Sequence, residues 1–82
     1  MIDIEELTDR QVEMICFAAN GYTAKEISGI AYLSHHTVRN YIKAAKKKTG
    51  AKSLTQLVAW CVAFEFLKLG YDGVFTRIIE DE

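Results

Sequence analysis

The chain has 82 residues, 50% of them hydrophobic, with 10 Lys and Arg against 11 Asp and Glu. That length holds one domain with a small core, the apolar content argues against disorder, and no apolar run reaches the roughly 20 residues a membrane helix needs. The formal net charge of -1 conceals three blocks: five acids against one base over residues 1–20, seven bases against one acid over 21–53, and five acids against two bases over 54–82.

The first predicted helix covers residues 8–20. Thr8 and Gln11 have capping-box spacing, and Val12, Ile15, Cys16 and Ala19 form an i, i+3, i+4, i+7 apolar stripe. Gly21 follows as a C-terminal stop. The acidic start, MIDIEELTDR, lacks the basic-then-apolar pattern of a signal peptide, so a cytoplasmic location is the expectation.

The second helix covers 24–31. Thr23 with Glu26 repeats the capping box, and Ile27, Ile30 and Ala31 share a face. The third, 35–49, starts after Ser34 and stops at Gly50. At about 100° per residue, Val38, Ile42, Ala45 and Thr49 fall in one narrow arc. His36, Asn40, Lys43 and Lys47 lie opposite, with Arg39, Lys46 and Ala44 on the flanks. Such a helix presses one face into a core and offers the other to a polyanion.

Two short helices joined by a tight turn, the second one basic, have the pattern of a helix-turn-helix over 24–49 whose second helix enters the DNA major groove. Arg39 and Asn40 can read base edges bidentately, Arg on guanine and Asn on adenine. Lys46 and Lys47, further along, suit phosphates. The plainer account is that the lysines 43 and 46–48 are a solvated helix end that complements the helix dipole. The Ser cap, the preceding short helix, and Arg and Asn on the same face weigh against it. His35 and His36, at the start of this helix, are either simply exposed or touch DNA; His36 is the candidate for a base contact.

The fourth helix is predicted over 54–69, from Ser53 to Gly70. Leu54, Leu57, Val58, Cys61 and Phe64 make one apolar face, and Ala59, Val62, Ala63 and Phe66 a second. A helix apolar all round must be covered on both sides. Either Tyr71 to Ile79 of the tail, 70–82, fold back over it as a short fifth helix, since Val74, Phe75, Ile78 and Ile79 have helical spacing, or a second copy covers it. The two can coexist.

Cys16 and Cys61 read as small core residues rather than a disulfide. Neither CxxC nor HExxH spacing occurs, so no metal and no cofactor are expected. No nucleophile and base form a coherent pair, which disfavours an enzyme.

The segments LTDRQVEMICFAANGYTAKEIS and LSHHTVRNYIKAAKKKTGAKSLTQLVAW resemble the LuxR/GerE-type DNA-binding domain. Leu7, Thr8, Arg10 and Glu13 supply its L-T-x-R-E-x-E start, and Gly21, Thr23, Lys25, Glu26 and Ile27 its G-x-[ST]-x-K-E-I middle. Ser34, Thr37, Val38, Arg39, Ile42, Lys48 and Gly50 supply the recognition-helix block, so the likeness covers about residues 7–62. The resemblance implies an all-α, four-helix module that binds double-stranded DNA as a dimer and regulates transcription in a bacterium or its phage. It implies base reading by Arg39, Asn40 and Lys43, phosphate contacts around Thr23, Lys25, Thr37 and Lys47, and a dimer through the fourth helix. Glu13 and Glu26 match acidic positions that support the fold.

The chain departs from the pattern at Ala31-Tyr32, where the family usually has Leu-Gly, and at Tyr41, where it commonly has His. Tyrosine lacks glycine's easy access to the left-handed region, which predicts a changed turn. Met1 and the 82-residue length suit a free-standing regulator without a receiver or ligand-binding domain. Activation would need a surface for RNA polymerase, which no residue announces. The rival function is a protein-interaction module that sequesters another regulator through the fourth helix; alanine at Arg39 and Lys43 would spare it and ruin a DNA reader. A sigma-factor-like promoter reader is a further rival, disfavoured for want of a polymerase-holding domain.

Overall fold

Helix starts in this chain are written as hydroxyl caps. The computed structural model describes residues 4–78. After a short 3-10 helix, Ile4–Glu6, Thr8 opens α1 (Asp9–Ala19): its hydroxyl accepts from the Gln11 N–H at 3.1 Å, and the Thr8 N–H donates to Gln11 Oε1 at 2.9 Å. Thr23 and Glu26 close the same box, at 3.2 and 2.9 Å, before α2 (Ala24–Ala31). Ser34 caps α3 (His35–Thr49) and Ser53 caps α4 (Leu54–Ala63). Each cap satisfies an amide that would otherwise lack an intrahelical partner. Gly50, at φ 82°, ends α3 in the left-handed conformation that glycine adopts without steric cost.

The core has two parts. Ile4, Leu7, Val12, Ile15, Ala45, Ala51, Leu57, Cys61 and Leu67 pack into one cluster, and Met14, Ile27 and Val38 form the centre of the other. α1 lies between them, with Val12 and Ile15 turned to α4 and Met14 turned to α2 and α3. Among the described residues buried side-chain polar groups are satisfied: the Thr49 hydroxyl donates to the Ala45 carbonyl at 2.8 Å and accepts from the Ala51 N–H at 3.3 Å. Both cysteines are free thiols. Burial pushes the Cys61 thiol up to about 11, and it raises Cys16 as well. Among the described residues no helix is long and apolar enough to cross a membrane.

The first three helices lie where their start and stop residues predict. The fourth and the tail require correction. α4 ends at Ala63 rather than running to 69. Glu65 turns the chain at φ 64°, and the Phe66 N–H donates to the Cys61 carbonyl at 2.8 Å. This is a helix end of the left-handed type made without glycine. It returns Leu67 to the core, where it is fully buried. The predicted fifth helix is instead a strand. β1 (Leu67–Leu69) and β2 (Phe75–Arg77) pair antiparallel, with Leu67 opposite Arg77 and Leu69 opposite Phe75. Tyr71, Asp72 and Gly73 form the loop, closed by the Gly70 N–H donating to the Val74 carbonyl at 2.9 Å: Asp72 Oδ1 accepts from the Val74 N–H at 3.1 Å, and Gly73 sits at φ 82°. That combination suits a three-residue hairpin loop closed by glycine. Ile79, the last of the predicted helical residues, lies outside the described residues.

One side chain holds the hairpin on α1. Asn20 Nδ2 donates to the Phe75 carbonyl at 2.9 Å, and its Oδ1 accepts from the Phe75 N–H at 2.7 Å. The Cys16 thiol donates to the same carbonyl at 3.5 Å. Asn20 thus completes the outer edge of β2 as a neighbouring strand would. Asn20→Ala removes two bonds worth about 1 kcal/mol each. We expect a Tm lower by about 8–16 °C and faster amide exchange at Phe75; an unchanged Tm would mean that the hairpin is held by its apolar contacts alone.

Candidate nucleic-acid interface

The rotation of α3 is fixed from inside. Val38, Ala45 and Thr49 are buried, and Leu33, Tyr41 and Ile42 pack half-buried beside the Met14–Ile27–Val38 cluster. The opposite arc must therefore face solvent. His36, Asn40, Lys43 and Lys47 are exposed there, and Arg39 is exposed on its flank. Lys46 is half-buried. The helix carries five bases and no acid, so this surface is positive although the chain is not. Arg39 and Lys47 are eight positions apart on one helix, a rise of about 12 Å. A single α-helix with this footprint fits the DNA major groove.

Thr23 and Lys25 are exposed at the N-terminal end of α2. The Thr23 hydroxyl accepts from the Glu26 amide, and hydrogen bonds from the Thr23 backbone and side chain hold the Glu26 carboxyl below its ordinary range. Glu26 is thereby occupied as a cap, as its match to a fold-supporting position implies. Thr37 is half-buried, its hydroxyl 2.9 Å from that of Ser34. Glu13 pairs with Arg10 at 2.6 Å and reaches Arg77 of the hairpin at 4.0 Å, again inside the fold.

Two residues near the basic face have internal roles. Lys48 Nζ donates to the Glu6 carbonyl at 3.0 Å, so it ties α3 to the N-terminal 3-10 helix. Tyr41 packs against the second core cluster. The turn itself keeps its glycine-type geometry, against the expectation of a changed one. Tyr32 sits at φ 56°, ψ 40°, and both its own N–H and that of Leu33 donate to the Ser28 carbonyl.

Ala59, Val62 and Ala63 are exposed on α4. Phe66 does not join them: it follows the helix end and packs half-buried against the protein's own core. Phe64, predicted to face the core, is exposed.

The sequence model of the family described as bacterial regulatory proteins, luxR family, matches residues 5–61, well over half of the chain. The chain belongs to the luxR family. As a luxR-family helix-turn-helix domain it is a DNA-binding transcription-regulatory module, and the family is one of regulators rather than enzymes. It is 45% identical over 56 residues to a Bacillus subtilis protein described as the uncharacterized transcriptional regulatory protein YvfU; the match covers 68% of this chain but only 28% of that protein. It is 36% identical over 64 residues to the spore germination protein GerE of the same organism, covering 78% of this chain and 80% of GerE. No solved structure matches significantly. The luxR-family match ends within α4, so the hairpin of residues 67–77 lies beyond it.

Proposed function

We propose that this luxR-family chain acts as a single helix-turn-helix domain that binds a specific duplex DNA sequence as a homodimer. In this reading α3 lies in the major groove. Arg39, Asn40, Lys43 and His36 face base edges, and Thr23, Lys25, Thr37, Lys46 and Lys47 face the phosphates on either side. The observation that carries the reading is the exposed polar and basic arc of α3, turned away from the core by Val38, Ala45 and Thr49. Local field rather than net charge governs attraction to phosphates. The outer face of α4, Ala59, Val62 and Ala63, pairs the two copies.

A second reading is favoured by one observation. Val62, Phe64, Leu69, Tyr71 and Val74, all within the last part of the described chain, are exposed large apolar residues. They suit a module that binds another regulator, or RNA polymerase, instead of DNA.

Selection of sites from random duplexes by the purified protein separates the two. Enrichment of a roughly two-fold symmetric sequence, with affinity falling steeply with salt, supports the dimeric reader. No enrichment by a folded protein supports the interaction module. Within the first reading, Lys47→Ala weakens binding evenly on all sequences and makes the salt slope shallower by about one unit; an unchanged slope removes Lys47 from the interface.

A further inference from the structure

Tyr32 is held in an unfavourable conformation with no visible return inside the protein. It is one of two non-glycine residues with positive φ among the described residues. The left-handed region costs an ordinary residue about five- to tenfold or more in the folding equilibrium, a cost glycine avoids. Tyr32 is 94% exposed. Among the described residues its hydroxyl makes no hydrogen bond, and its ring stacks on no other aromatic. The only bonds in the turn are the backbone ones to the Ser28 carbonyl, which glycine would make equally well. Strained residues of this kind point to a use outside the fold.

The position of Tyr32 suggests that use. It lies two residues before Ser34, the cap of α3, and His35 and His36, which open that helix, are exposed. The chain's acid in this region, Glu26, is engaged at the other end of α2. A recognition helix that reaches base edges with its N-terminal residues brings the preceding turn to the groove wall, where the sugar–phosphate backbone runs. Tyrosine hydroxyls are recurrent phosphate donors.

We propose that Tyr32 is a DNA-backbone contact whose phenol hydroxyl donates to a phosphate oxygen flanking the bases that α3 reads. The proposal rests on the reading of α3 as the recognition helix. It also accounts for a tyrosine at a position that glycine would fill more stably: stability is exchanged for affinity.

The test measures Tm and duplex affinity for the full chain and for Tyr32→Phe and Tyr32→Gly, on the selected operator and on an unrelated duplex. Tyr32→Phe keeps the ring and the strain, so its Tm is that of the wild type. Its affinity falls about tenfold, equally on both duplexes. Its salt slope is unchanged, because a neutral hydroxyl displaces no counterion; this separates Tyr32 from the lysines. Tyr32→Gly melts about 4 °C higher and binds at least as weakly as Tyr32→Phe. Wild-type affinity in Tyr32→Phe overturns the proposal while leaving α3 as the reader. Failure of the folded wild type to bind any duplex overturns the reading of α3 and this proposal together.

Discussion

Replacing Arg39 and Lys43 together by alanine lowers affinity for the selected operator about 100-fold or more, since each well-placed base contact discriminates by about 1–3 kcal/mol. Folding is untouched by comparison. Both side chains are exposed on the outer arc of α3, and among the described residues neither makes an ion pair. Alanine is the best helix former, and exposed substitutions of this kind usually move stability by less than about 0.5 kcal/mol. The variant therefore melts like the wild type and fails to shift the operator. Anisotropy titrations on the operator and on a scrambled duplex give the decisive comparison. A loss concentrated on the operator means that Arg39 and Lys43 read bases. An equal loss on both duplexes makes them phosphate contacts, and intact binding to a protein partner with no DNA effect would establish the interaction module instead.

What made this face legible was local. Hydroxyl caps open α1, α2 and α3, glycines follow α1 and α3, and the apolar period of α3 fixes its rotation; these signals are carried by neighbouring residues. The C-terminal third was less legible for physical reasons. α4 is apolar nearly all round, so its period sets no end, and its stop is Glu65, a residue with no terminator character in sequence. The hairpin did leave a mark. Asp72-Gly73 is a turn signal, and Leu67, Lys68 and Leu69 alternate apolar and polar in sequence, although only Leu67 is buried. Val74, Phe75 and Ile78 can equally be read at helical spacing, and in so short a run the two periods compete. The clamp by Asn20 could not be read at all, because it joins residues 55 positions apart.

Tyr32 shows a different limit. Its sequence signal, a tyrosine where the family usually has glycine, argued for a changed turn, yet the backbone adopts the left-handed conformation regardless. The Ser28 carbonyl receives two amides there, and Leu33 is drawn toward the second core cluster. Tertiary packing therefore overrides the preference of a single residue, as it often does. The arrangement leaves α3 capped by Ser34 as the family pattern implies, and only the exposed side chain of the turn is novel.

Val62→Asp provides the second large effect, on assembly. Val62 is 38% exposed, with exposed Ala59 and Ala63 beside it on α4. Small residues on either side allow a second helix to approach closely, and a two-fold axis through this face brings Val62 near its own copy. Aspartate there would place two like charges in an apolar contact, which disfavours the pair strongly. Sedimentation should then report monomers. Affinity for a two-half-site operator should fall about 100-fold or more, because linking two half-site contacts contributes a factor of that order, while affinity for an isolated half-site stays that of the wild type. Phe66→Asp cannot make this distinction, since Phe66 packs on the protein's own core and its loss would unsettle the fold. A Val62→Asp protein that still sediments as a dimer would move the interface to the exposed apolar residues of the hairpin, Leu69, Tyr71 and Val74. The spacing of half-sites in the selected operator would change with it, because the distance between the two copies of α3 is set by whichever surface joins them.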